Sequence, residues 1–151
     1  VAYFSSSYAA DSPLYQTLIK AFIRDSKYSV IHFNNGLHGF HIGKSAYKSR
    51  LKKLLKAFPN DCKVILASTT FVFEKGNMIP DKAWGKRVSE RNAAIDELSE
   101  EFGFSIDDLY SVSRTIDSNG RSNDGTHFKE EGIDILANIV VKSILNVLNN
   151  R

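Results

Sequence analysis

Short β-branched and aromatic runs alternate with amphipathic helical stretches along this chain, and that alternation restricts what it can fold into. Val1 to Phe4, Tyr28 to Phe33, Lys63 to Thr69 and Phe104 to Ile106 read as strands. Pro13 opens a helix behind the capping candidates Asp11 and Ser12, and Leu14, Leu18, Ile19, Phe22 and Ile23 follow at helical spacing. Ser45 to Phe58 is a second helix, carried by Leu51, Leu54, Leu55 and Phe58 and ended by Pro59 and Asn60. A third runs near Lys86 to Phe102 with the stripe Val88, Ile95, Leu98 and Phe102, stopped by Gly103. Glu130 to Leu148 closes the chain as a helix with Ile133, Leu136, Ala137, Val140, Ile144 and Leu148 on one side. Strand and helix in strict order predict an α/β fold with a parallel sheet and helices on both faces, because right-handed crossovers return the chain to one strand direction. Ligands of such sheets bind beyond the carboxyl ends of the strands, so the loops there are the place to look.

With 151 residues the chain makes one domain, spanning 1–151. Apolar residues at 42% and charged residues at 25% exclude disordered and disulfide-scaffold classes. A formal charge of +3 is too small to argue for nucleic acid, and the basic run Lys44 to Lys56 falls on a helix as a solvated face. The lone Cys62 excludes an internal disulfide and a cysteine metal cluster. No apolar run approaches the ~18 residues of a membrane span, which leaves cytoplasmic and secreted compartments both open. Met78 is the only methionine and Val1 opens in the middle of a strand-like run, so further sequence is expected upstream.

The loops that follow the strands are rich in hydrogen-bonding residues: Ser5-Ser6-Ser7, then Asn34-Asn35-Gly36-Leu37-His38-Gly39, then Ser68-Thr69-Thr70. A last loop delivers Asp124-Gly125-Thr126-His127 just ahead of the final helix. A carboxylate three residues before an imidazole can accept its Nδ1 proton within one turn, which fixes the tautomer and leaves Nε2 as a base. The same spacing also suits a helix-capping Asp124 followed by an exposed His127. Asn34 to Gly39 offers donors where an oxyanion hole would be built, or equally a polar turn with a surface His38. His32, between Ile31 and Phe33, reads as a satisfied structural histidine. A nucleotide binder of this architecture would need a glycine-rich phosphate loop after a strand, which the chain lacks.

Val30-Ile31-His32-Phe33-Asn34-Asn35-Gly36-Leu37-His38, followed by Asp124-Gly125-Thr126-His127-Phe128 and Glu131-Gly132, resembles the SGNH hydrolase superfamily, the GDSL-type esterases and lipases. The resemblance runs in order through nearly the whole chain. It implies a flavodoxin-like three-layer α/β/α sandwich, and it places Asp124 and His127 on the superfamily's Asp-x-x-His. Gly36-Leu37-His38-Gly39 stands where Gly-x-Asn-Asp is expected, with His38 in the place of the oxyanion asparagine; a register one residue earlier uses Asn35. Val1 to Ser7 matches the second block, where Ser7 replaces a glycine whose backbone N–H serves the oxyanion.

The block with the nucleophilic serine has no counterpart, since Gly-Asp-Ser does not occur in the chain. The resemblance therefore implies a serine ester hydrolase whose first central strand is missing from these 151 residues and is supplied by an upstream segment or another chain. Aligning Ser5-Ser6-Ser7 with that block would instead make Ser7 the nucleophile. The implied substrate is a small ester or an acylated carbohydrate, with acetyl the first choice; no metal or organic cofactor is implied. The competing expectation is a non-catalytic fragment or carbohydrate-binding remnant of the same fold.

Overall fold

The computed structural model describes residues 1–24 and 27–150. Its middle strand is β2 (Lys63–Ala67), in which Val64, Ile65, Leu66 and Ala67 are all buried, as a strand covered on both faces requires. It pairs in parallel with β1 (Val30–Phe33) on one side and with β3 (Ser105–Asp107) on the other, so the order is β1-β2-β3. Because strand residues alternate between faces, Phe33, Val64 and Leu66 point one way, into a cluster with residues of α1 (Pro13–Arg24), α2 (Lys44–Leu55) and α3 (Lys82–Phe102). The opposite face carries His32, Ile65, Ala67 and Asp107, and α5 (Glu130–Asn149) runs against all three strands. A short helix, α4 (Leu109–Thr115), packs against α5. This is the three-layer α/β fold that the alternation predicts.

Local chemistry sets most of the boundaries. The Asp81 carboxylate accepts from Trp84 N at 2.8 Å, so α3 starts at Lys82, a turn earlier than the apolar stripe indicates. Gly103 ends it in the left-handed conformation at φ 67°, with its N–H bonded to Ser99 O. Ser12 Oγ accepts from Tyr15 N at the start of α1, as its capping position suggests. Lys63 Nζ donates to the carbonyls of Val147 and Asn150 at the end of α5, where a cation meets the negative pole of the helix.

The structure corrects three readings. Val1 to Phe4 is not a strand: this segment pairs with nothing, and Val1 and Tyr3 are exposed. Apolar content alone does not make a strand, which needs a partner for its backbone, and among the described residues β1 pairs only with β2. Val1 to Phe4 forms no ladder with Tyr28 to Phe33 among the described residues. The fourth expected strand is shifted by one residue, to Ser105–Asp107, and α4 was not expected at all. Finally, the apolar stripe of α5 is less buried than its periodicity implies: Leu136, Val140, Ile144 and Leu148 are half-buried and Ile133 is 54% exposed, while Val141 and Leu145, outside that stripe, are 52% and 50% exposed.

Candidate functional site

The segment between α4 and α5 folds into a tight hairpin-like turn because its backbone groups bond to each other and to the segment following β2. Arg121 and Phe128 form an antiparallel bridge, and Ser122 N donates to His127 O at 3.0 Å. Phe73 N donates to Gly125 O at 3.0 Å and Gly76 N to Asn123 O at 2.8 Å, which fixes the turn against residues 73–76. Gly125 has φ 75°, and a β-carbon there would collide with Phe73 O, so this position requires glycine on both counts.

At the head of this turn Asp124 Oδ2 lies 2.6 Å from His127 Nδ1, while Asp124 Oδ1 accepts from the backbone N–H of Thr126 and of His127, both at 2.9 Å. The bonds from His127, backbone and ring, and from Thr126 hold the Asp124 carboxyl well below its usual range, at about 2. As a carboxylate it can only accept, so Nδ1 is the donor of this bond and Nε2 is the ring nitrogen left to take a proton. The His127 side chain is 77% exposed, which leaves Nε2 open to a reacting group. Asp124 does not cap α5, whose N-cap is Lys129.

The loop after β1 is held from beneath. Asn34 Nδ2 donates to Ala67 O and Ser68 O, and Asn35 Nδ2 to Tyr8 O at 3.1 Å, which ties the loop to the backbone next to Ser7. The buried Tyr47 hydroxyl donates to Asn35 O at 2.7 Å; burial raises this phenol's pKa, so it stays a donor. Arg91, 1% exposed, stacks 4.0 Å over the Tyr47 ring and donates from Nη2 to Gly39 O and Ile42 O, the other end of the loop. Gly36 lies directly against Thr69, whose own backbone is gripped by Asn92 through two hydrogen bonds. The segment after β2 thus carries both loops: Thr69 supports Gly36, and Phe73 supports Gly125.

The structure brings Asp124 and His127 into contact, and Asn35 into contact with the segment next to Ser7. It draws no hydrogen bond between the Asp124–His127 pair and Asn35, Gly36 or His38 among the described residues; His38 and Ser7 are exposed. His32 is satisfied by Asp107, whose Oδ2 lies 2.8 Å from its Nε2 across the face of β2. A separate cavity of about 410 Å³ lies between α3 and α4, lined by Ser68, Asn92, Asp96, Asp108 and Tyr110 among others, and contains none of the candidate residues.

No family model matches the chain, and no curated protein does. Solved structures do. A lipase/acylhydrolase from Enterococcus faecalis superposes with a TM-score of 0.69 at 18% identity, covering 91% of this chain and 71% of that one. A GDSL-like lipase from Bacteroides thetaiotaomicron gives 0.73 at 17% identity, over 93% of this chain and 73% of its own. The chain has the GDSL-hydrolase fold. A catalytic mutant of an acetylxylan esterase from Geobacillus stearothermophilus shares that GDSL-hydrolase fold with this chain at a TM-score of 0.68 and 15% identity, over 92% and 68% of the two chains. Within this GDSL-hydrolase fold, sequence reasoning missed the two buried arginines, Arg91 and Arg121. Arginine is seldom buried, and both here bond to carbonyls of remote segments, a feature with no local sequence signal.

Proposed function

We propose that this chain is the greater part of a serine ester hydrolase in which His127 is the general base and Asp124 its orienting carboxylate. The observation that carries the reading is the 2.6 Å Asp124–His127 hydrogen bond on this fold, with Nε2 exposed. His127 Nε2 takes the proton of a serine hydroxyl as the oxygen attacks the ester carbonyl, then delivers it to the leaving alcohol; water repeats the sequence on the acyl-enzyme. Asp124 stabilises the imidazolium formed in between. The backbone near Ser7 together with Asn35, Gly36 and His38 supplies donors to the oxyanion.

The serine sits on a further strand, from an upstream segment or another chain, that pairs with the free edge of β1. Three features support this. β1 is an edge strand. Ile133, Val141 and Leu145 of α5, the helix that runs against all three strands, are exposed apolar residues. Asn35 Oδ1 and Thr69 Oγ1, beyond the carboxyl ends of β1 and β2, are buried without a hydrogen-bond partner among the described residues, an arrangement that an added loop would relieve. The substrate is a small or carbohydrate ester, with acetyl as the acyl group; one structural neighbour is an acetylxylan esterase. Among the described residues no helix is long and apolar enough to cross a membrane.

The test is His127→Ala in the natural protein. Turnover of a chromogenic acetate ester should fall by about 10⁴-fold or more with unchanged circular dichroism. Activity retained at the wild-type level would refute the assignment, and labelling of Ser7 by an organophosphate would move the nucleophile to that residue.

A further inference from the structure

We propose that Arg121 is the positioning residue that fixes the Asp124–His127 turn against the rest of the site; the proposal rests on the reading of that pair as a catalytic dyad. Arg121 is 3% exposed and has no carboxylate among its partners in the described residues. Its guanidinium donates from Nε to Ile116 O at 3.3 Å, from Nη1 to Phe71 O at 3.1 Å and from Nη2 to Ser113 O. It is also flanked by two rings, with the Phe73 centroid at 4.4 Å and the Phe128 centroid at 4.7 Å.

These partners come from three places. Ser113 and Ile116 form the carboxyl end of α4, where a cation is favoured; Phe71 and Phe73 belong to the segment after β2; Phe128 adjoins His127. Arg121 is itself the first rung of the turn, bridged to Phe128. One planar group therefore joins the end of a helix, the support of both site loops and the two feet of the turn.

Desolvating a cation is costly, and an apolar side chain of similar size would fill this space without that cost. An apolar side chain could not fix carbonyls on two separate segments, and a lysine ammonium has neither the fork nor the flat faces. The bonds from Thr126 and His127 to Asp124 set the geometry inside the dyad, whereas Arg121 sets where the dyad stands. Its loss should misplace the base relative to a bound ester and so act on kcat rather than on KM.

Arg121→Lys in the natural protein keeps the charge and removes the fork and the stacking planes. The expected result is a kcat on a chromogenic acetate ester lowered roughly 10- to 100-fold with KM within about twofold. Amide protection at Ser122, His127 and Lys129 should fall by about tenfold while that of β2 is unchanged. Arg50→Lys, on the exposed side of α2, is the control and should leave both unchanged. A folded Arg121→Lys with either wild-type kcat or wild-type protection overturns the proposal. Phe128→Leu removes one flanking ring but leaves the carbonyl bonds, and it decides the matter if Arg121→Lys does not fold: a smaller loss in the same two readouts is expected, and no loss overturns the proposal. If the wild-type protein hydrolyses no ester, the dyad reading fails, while the protection data still decide whether Arg121 holds the turn.

Discussion

Gly36 occupies a place where no β-carbon fits: one built there would come within 2.6 Å of Thr69 Cβ and Cγ2 and closer still to its hydroxyl. Its backbone is not in the left-handed region, so the requirement is for space alone. Gly36→Ala should destabilise the protein by about 1–3 kcal/mol, the usual cost of overpacking a closed site. The shift in denaturant midpoint should shrink in a Thr69→Gly background, and equal shifts in both backgrounds would show that the clash is not the cause. At this scale the sequence was legible where chemistry is local. Asp124 and His127 are three residues apart, so their hydrogen bond is one of the two arrangements the spacing allows. Arg91 and Arg121 were illegible because their partners, Gly39, Ile42, Phe71 and Ser113, lie 8 to 52 positions away along the chain.

Among the elements, α2 and α3 are tied across their outer faces by Glu97, which bonds Lys44 Nζ at 2.6 Å and Lys48 Nζ at 2.5 Å, and by an ion pair between Lys52 and Glu101. The two lysines lower the Glu97 pKa to about 2. A carboxylate whose folded pKa is depressed adds stability above its ordinary pKa and loses it as pH falls towards the folded value. The difference in Tm between wild type and Glu97→Gln should therefore be present at neutral pH and shrink from about pH 4.5 downwards. It should also shrink in 1 M salt, since these groups face solvent. A difference independent of pH would assign the effect to packing. The order of strands and helices was readable from periodicity, and α5 was placed almost to the residue. Two errors have separate physical causes. Val1 to Phe4 has strand composition but no backbone partner, and α4 is too short to show a period, being set by the Asp108 cap accepting from Ser111 N.

For the whole molecule, the edge of β1 is the feature with the widest consequences. Lys63 N donates to Ser29 O, so in a parallel ladder Ser29 and Ile31 face β2, and the backbone groups of Val30 and His32 face outward. If the serine strand docks there, the amides of Val30 and His32 in the natural protein should exchange as slowly as those of β2 by native-state hydrogen exchange. Exchange at the rate of a free edge would place the serine elsewhere. The two site loops share another property. Arg91 holds the loop after β1 and Arg121 holds the Asp124–His127 turn, and both do so through carbonyl oxygens, which do not titrate in the range a protein meets. Acid and concentrated salt act on exposed carboxylate–lysine pairs such as those between α2 and α3, and have little purchase on a buried guanidinium bonded to backbone. The order of dismantling follows for salt: as it rises the helical frame slackens first, and the two arginine anchors of the loops that would hold the substrate keep their grip; in acid the Asp124 carboxylate, with a pKa of about 2 like that of Glu97, lets go in the same range as the frame.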